Sequence, residues 1–145
     1  MRVLIPLAAI ALLGGVAAAK DSGAKDSGAK DNGRAAQEAE IQQKLAKELQ
    51  GLTPQKAESC IDQFPSAQTA GYGPTILYKF SDGVVYRTDT AGGCEGIGRG
   101  DILVTKTSQS QLCQGDIART VDAATHMTTG SCSFGPFVPY RKVAP

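Results

Sequence analysis

The sequence predicts a mainly β protein: a small antiparallel β-barrel or roll, stapled by two disulfides and preceded by one amphipathic α-helix. Three observations carry that expectation. Short alternating runs of apolar and polar residues recur from about residue 58 onward, separated by turn-prone stretches such as "TAGGCEGIGRG" and "DAATHM". Four cysteines, Cys60, Cys94, Cys113 and Cys132, fall in the same region, and an even count in a small exported chain most often means two disulfides. Ahead of it, Ile41, Leu45, Leu49 and Leu52 recur at helical spacing in a segment rich in Ala, Gln, Glu, Lys and Leu.

Residues 1–19 have the three parts of a secretory signal peptide. Met1-Arg2 is a positive start, Val3 to Val16 is almost wholly apolar, and Ala17-Ala18-Ala19 offers a small-residue cleavage site. The apolar run is too short to span a bilayer, and no Cys follows it to take a lipid anchor. The expected setting is therefore periplasmic or secreted, with no integral membrane segment after cleavage. Cleavage removes Arg2 from 15 basic residues and leaves 14 against 14 acidic ones. A neutral chain argues against nucleic acid or an anionic membrane as partner, since either needs a basic face.

Residues 20–33 continue a tandem word that starts at Ala19 and reads "AKDSGAKDSGAKDNG". Each copy holds one Lys and one Asp and no aromatic or branched residue, so the tract has nothing to pack with. It is expected to be a flexible linker reaching about 20 Å. A helix is expected over residues 34–52, with Gly51 as its terminator and Pro54 shortly beyond. Its stripe barely fills two heptads, which favours docking on the following domain over a coiled coil.

The β-domain is expected over residues 58–143. Its clearest unit is "TILYKFSDGVVYRTD", two alternating runs about a turn. A two-residue Asp82-Gly83 loop pairs Tyr78 with Arg87, whereas a three-residue Ser81-Asp82-Gly83 loop pairs Phe80 with Val84 and Tyr78 with Tyr86. The second keeps aromatic and branched side chains on one face and is preferred; it requires Gly83 in the left-handed region. "DILVTKT", "DIARTVD" and "GSCSF" read as further strands, and "SAQTAGY" as a poor first one. The domain is small enough that burial alone leaves a thin margin, to which each disulfide adds about 2–4 kcal/mol. Chain entropy gives about the same total for all three connectivities, so it does not choose among them.

"CIDQF", "TILYKFSDGVVYR", "GDILVTKTSQSQLCQGDIARTVD" and "GSCSFGPFVPYRK" together resemble a family of small exported bacterial proteins of sphingomonads and their relatives, known only as a domain of unknown function. The resemblance covers Cys60 to Lys142. Its most specific parts are the Gln-Leu-Cys-x-Gly-Asp segment at Gln111–Asp116 and the Gly-x-Phe-x-Pro-Tyr ending at Gly135–Tyr140. It implies a periplasmic setting, and the pairings Cys60–Cys113 and Cys94–Cys132. No activity, ligand or catalytic residue comes with it, and the repeat lies outside it.

Chemistry is sparse. Zinc wants Cys or His pairs a few residues apart, and the cysteines are too dispersed for that. His126 is the only histidine, sits in a loop sequence, and has no Gly-x-Ser-x-Gly elbow to serve. "GIGRGD" lacks the preceding strand and following helix of a phosphate loop, and its glycines read as a tight turn beside Cys94. Asp82, Asp89, Glu95, Asp101, Asp116 and Asp122 would support acid–base hydrolysis if two converged, although Asp82, Asp101 and Asp122 are already explained as turn or strand-end residues. The ending "FGPFVPYRK" carries Phe134, Phe137 and Tyr140 three apart around two prolines that bar a central place in a sheet. Its rings either cap the barrel core or form, with Arg141, a partner contact at Phe137, Tyr140 and Arg141.

The expected function is a non-enzymatic periplasmic binding or envelope-associated module without cofactor or metal, whose partner is an envelope protein or glycan. Two alternatives stand beside it: a small carboxylate-dependent hydrolase, and an inhibitor-like protein presenting the Cys94 loop.

Overall fold

The computed structural model describes residues 26–62, 67–107 and 110–143, with side chains from residue 32 on. The expected signal peptide and the first part of the repeat lie outside the described residues. One helix, α1 (Asp26–Glu48), precedes ten short extended or turn elements. It begins eight residues before the expected boundary at Arg34, so the second half of the expected linker is helical. Helix formation is cooperative: once the strong helix formers from Ala35 on are wound, extending through Ala29, Lys30 and Asp31 costs little, and no proline stops it. At the other end the helix closes in a turn over residues 49–51, with Gly51 at φ 77°.

The strands are β1 (Thr53–Pro54), β2 (Cys60–Asp62), β3 (Gln68–Tyr72), β4 (Thr75–Lys79), β5 (Val85–Gly92), β6 (Ile102–Thr105), β7 (Gln111–Cys113), β8 (Ile117–Val121) and β9 (Thr128–Arg141). A seven-stranded sheet runs β3-β4-β5-β9-β8-β6, with β1 paired to the far end of β9. All its pairings are antiparallel. It curls into a half-barrel whose edges are β3 and β6. A separate antiparallel ribbon joins β2 to β7.

The β4–β5 hairpin has the three-residue loop. Tyr78 pairs with Tyr86, the Phe80 N–H donates to the Val84 carbonyl at 2.9 Å, and Gly83 sits at φ 81°. The resulting alternation sends Ile76 and Tyr78 to the inner face and Leu77 and Val85 to the outer one. Inside, Phe134, Phe137, Leu112 and Ile61 join Ile76 and Tyr78 in the main core. Outside, Leu45, Leu77 and Val85 are buried together, with Leu49, Leu52, Tyr72 and Tyr140 packed around them. The helical stripe thus docks on the sheet as expected; burying Leu45, 2% exposed, contributes roughly 2 kcal/mol. An ion pair between Lys79 and Glu48 ties the same helix to β4 and holds the Glu48 carboxyl below the usual carboxylate range. The other half of the outer face, on β6 and β8, leaves Ile102, Val104 and Ile117 about half exposed.

Both prolines of the C-terminal stretch lie inside a central strand, contrary to the sequence expectation. Strand β9 runs unbroken between β5 and its neighbours on the other side, β8 and then β1. It tolerates Pro136 because the register slips there: Thr88 faces Phe137 while Thr90 faces Phe134, so Gly135 and Pro136 share Asp89 at a bulge. A Cβ on Gly135 would stand 2.5 Å from the Asp89 carbonyl oxygen, so this bulge accepts only glycine. Pro139 turns its donor-less side away from β5. Its carbonyl accepts from the Gln55 N–H at 2.8 Å, on the flank where only the two-residue β1 and its continuation lie, and no β5 hydrogen bond is lost.

The disulfides are Cys60–Cys113, joining residues directly opposite in the β2–β7 ribbon, and Cys94–Cys132, joining the turn just beyond β5 to β9. Both are the pairs implied by the resemblance. They close sequence separations of 53 and 38 residues, which in the chain-entropy account is worth about 4 kcal/mol each.

Candidate functional site

A half-barrel has an open side, and here it holds a cleft. Its walls come from elements distant in sequence: Ile61 and Asp62 of β2, Ala67, Thr69 of β3, Tyr78 of β4, Phe80, Leu103 and Thr105 of β6, and Leu112 of β7. Both sheet edges therefore contribute, and the disulfide-closed ribbon forms the remaining wall. The space measures about 250 Å³.

Alternation explains the two threonines, whereas Asp62, exposed at the end of β2 and paired with the exposed Gln111, reaches the cleft only at its rim. Thr69 pairs with Tyr78 and Thr105 with the fully buried Ala118, which places both threonines on the inner face of their edge strands. The floor is apolar, made by Ile61, Leu103, Leu112 and the rings of Tyr78 and Phe80. The polar groups, Asp62, Thr69 and Thr105, belong to the three flanking strands. Among the described residues Asp62 is the only charged one of the lining. The Gln111 side-chain amide donates to its Oδ1 at 3.0 Å and holds the carboxylate in place.

Tyr78 anchors the floor. Its ring contacts Phe134 and Phe137 at centroid distances of 6.4 and 6.2 Å, and it is 8% exposed. Among the described residues its hydroxyl has no hydrogen-bond partner and is sealed from solvent. Burial pushes the phenol well above its ordinary value of 10.0, so it stays neutral and protonated. Among the described residues the cleft thus has one carboxylate, two aliphatic hydroxyls and an inert phenol. Among the described residues it does not bring together two carboxylates as an acid–base pair.

The residues singled out by sequence lie elsewhere. Phe137 is fully buried at the centre of the core, so the expected partner contact at Phe137, Tyr140 and Arg141 is not a surface patch. The bulge at Gly135-Pro136 is the cause: it sets Phe137 opposite Thr88 on the inner face, whereas Tyr140, opposite Val85, goes to the outer face beneath α1. Only Arg141 is exposed. Phe134 and Phe137 thus lie within the core rather than cap it, and Tyr140 packs on the other face.

Five of the six singled-out carboxylates are engaged as local acceptors. Asp82 takes the Val84 N–H, Asp89 the Arg87 guanidinium and Thr75 hydroxyl, Asp101 the Thr129 hydroxyl, and Asp116 the Cys113 N–H. Asp122 accepts from Thr125 and Ala124, and those bonds lower its pKa, the wrong direction for a general acid at neutral pH. Glu95 starts a 3-10 turn, Glu95–Arg99. That turn folds back on β3 rather than projecting: a Cβ on Gly71 would meet Ile97 Cβ at 2.7 Å and Gly98 N at 2.9 Å. The loop beside Cys94 is thus packed against the sheet edge. His126 lies exposed in the β8–β9 turn at φ 58°, outside the cleft.

Asp62, Thr69 and Thr105 carried no sequence signal as a group. For Thr69 and Thr105 the available hint was a polar residue at an inner-face position of an edge strand. Among the described residues, no three His, Cys, Asp or Glu side chains cluster to hold a metal ion, and no helix is long and apolar enough to cross a membrane. The two disulfides fit an oxidising, non-cytoplasmic setting. The chain matches no protein-family model, no curated protein and no solved structure.

Proposed function

We propose that this protein is an exported, non-enzymatic binding module of the cell envelope, and that it takes a small molecule into the cleft on the open side of its half-barrel. The observation that carries the reading is the cleft itself: an apolar floor with three polar groups at its flanks, at the mouth of a curled sheet, where β-barrel proteins commonly hold ligands. The three-part leader at residues 1–19 and the resemblance to exported sphingomonad-type proteins support the envelope setting, as do the disulfides. A surface for an envelope protein or glycan loses its main support with Phe137 in the core. The hydrolase reading draws nothing from a cleft with one carboxylate, and the inhibitor reading nothing from a Cys94 loop packed on β3.

The test is a ligand-observed NMR screen of the oxidised protein against a fragment collection of neutral, cationic and anionic members. A Thr69→Phe variant, whose ring would occupy the cleft from an edge strand, is screened in parallel. Hits that disappear in the variant locate binding in the cleft. No hits, or hits indifferent to the substitution, would refute the reading.

A further inference from the structure

Resting on that reading, we infer that the cleft selects a small organic amine, with a body about the size of one ring or a short branched chain and its ammonium group at Asp62.

Size comes first. An apolar cavity of about 150 Å³ holds a benzene ring, and drug-sized ligands take roughly 300 Å³ or more. A space of about 250 Å³ therefore suits a ligand of around ten non-hydrogen atoms.

Charge decides the head group. Among the described residues Asp62 is the only charged one in the lining, and none of them places a cation there to balance it. The nearest basic residues in sequence face the other way. Lys79 follows Tyr78 but sits on the outer face, paired with Glu48; Lys106 follows Thr105 but lines an outer groove with Val104, Ile117 and Arg119. An anionic ligand would meet Asp62 without compensation. A cation gains Asp62, and Thr69 and Thr105 on the two edge strands offer hydroxyl oxygens to its remaining N–H groups. The rings of Phe80 and Tyr78 favour the same sign, because an aromatic face attracts a cation. Gln111 leaves the Asp62 Oδ2 without a hydrogen bond among the described residues, so one oxygen is available to the ligand.

Three near-isosteric probes test this: phenethylamine, 2-phenylethanol and phenylacetate, titrated at neutral pH and low salt into the oxidised, 15N-labelled protein and its Asp62→Asn variant. Asn keeps the carbonyl oxygen that accepts from Gln111, and the amide spectrum reports whether the variant is folded. Phenethylamine is expected to shift the amides of Thr69 and Thr105 and to bind about two- to five-fold tighter than the alcohol, the range of exposed ion pairs. Phenylacetate should be weakest. Asp62→Asn should bring the amine and alcohol affinities together, chiefly by weakening the amine. Equal binding of amine and alcohol to the wild type, or a preference that survives Asp62→Asn, would overturn the inference while leaving a small-molecule module intact. Failure of all three probes to bind also overturns it; the broader reading then stands or falls on the fragment screen.

Discussion

Tyr78→Phe is a substitution for which the structure predicts a gain in stability. The tyrosine hydroxyl is sealed among aromatic rings and, among the described residues, has no partner, so folding strips it of water and returns nothing. Leaving a hydroxyl buried and unsatisfied costs about 1–3 kcal/mol. Phenylalanine keeps the ring and its contacts with Phe134 and Phe137 and removes only the oxygen. The small void left offsets part of the benefit, so the expected net gain is about 1 kcal/mol, or about 4–8 °C in Tm for a domain of this size. Urea unfolding of both oxidised proteins at neutral pH measures it. A loss of 1 kcal/mol or more would refute the reasoning, since it would mean that the hydroxyl has a partner. The pH dependence gives a second readout. Burial raises the native phenol above its ordinary 10.0, so unfolding releases a proton at alkaline pH. The stability contribution is whole below pH 10 and is lost as pH rises beyond it. Tyr78→Phe should flatten that alkaline decline, though not abolish it, because Tyr72 and Tyr86 are also shifted upward by burial.

Phe137→Ser should destabilise the fold by about 3–5 kcal/mol, because it empties a fully buried position in the core. Urea unfolding separates this from a surface role, for which the change would stay within about 0.5 kcal/mol. Gly83→Ala should cost about 1 kcal/mol: nothing lies within 4 Å of the added methyl, so the penalty is that of holding an L-residue at φ 81°. An unchanged midpoint for Gly83→Ala would mean that the hairpin loop is not in that conformation.

What the sequence by itself determined is local. The two-residue period of "TILYKF" and "VVYRTD", with Gly83 after Asp82, specified the hairpin and its register, because a slip of one residue would exchange its two faces. The spacing of Ile41, Leu45, Leu49 and Leu52 specified a helix with one docking face, and helix propensity beyond Arg34 concealed only how far cooperative winding would extend. Phe137 was legible as capping the core in one of two readings, and the prolines misled, because whether a missing N–H matters depends on which side of the strand it faces. That side is set by partners far away: Asp89 at the bulge, Gln55 opposite Pro139. Disulfide pairing was open on chain entropy, since the three connectivities are close in energy, and the resemblance rather than the residues pointed to the pair found. Asp62, Thr69 and Thr105 line one cleft only because the curled sheet and the β2–β7 ribbon bring distant strands to it. Curvature and edge placement arise from the sum of all strand pairings, and no single segment encodes them. The elements were therefore readable from local period and turn chemistry, and the cleft was decided by the tertiary structure alone.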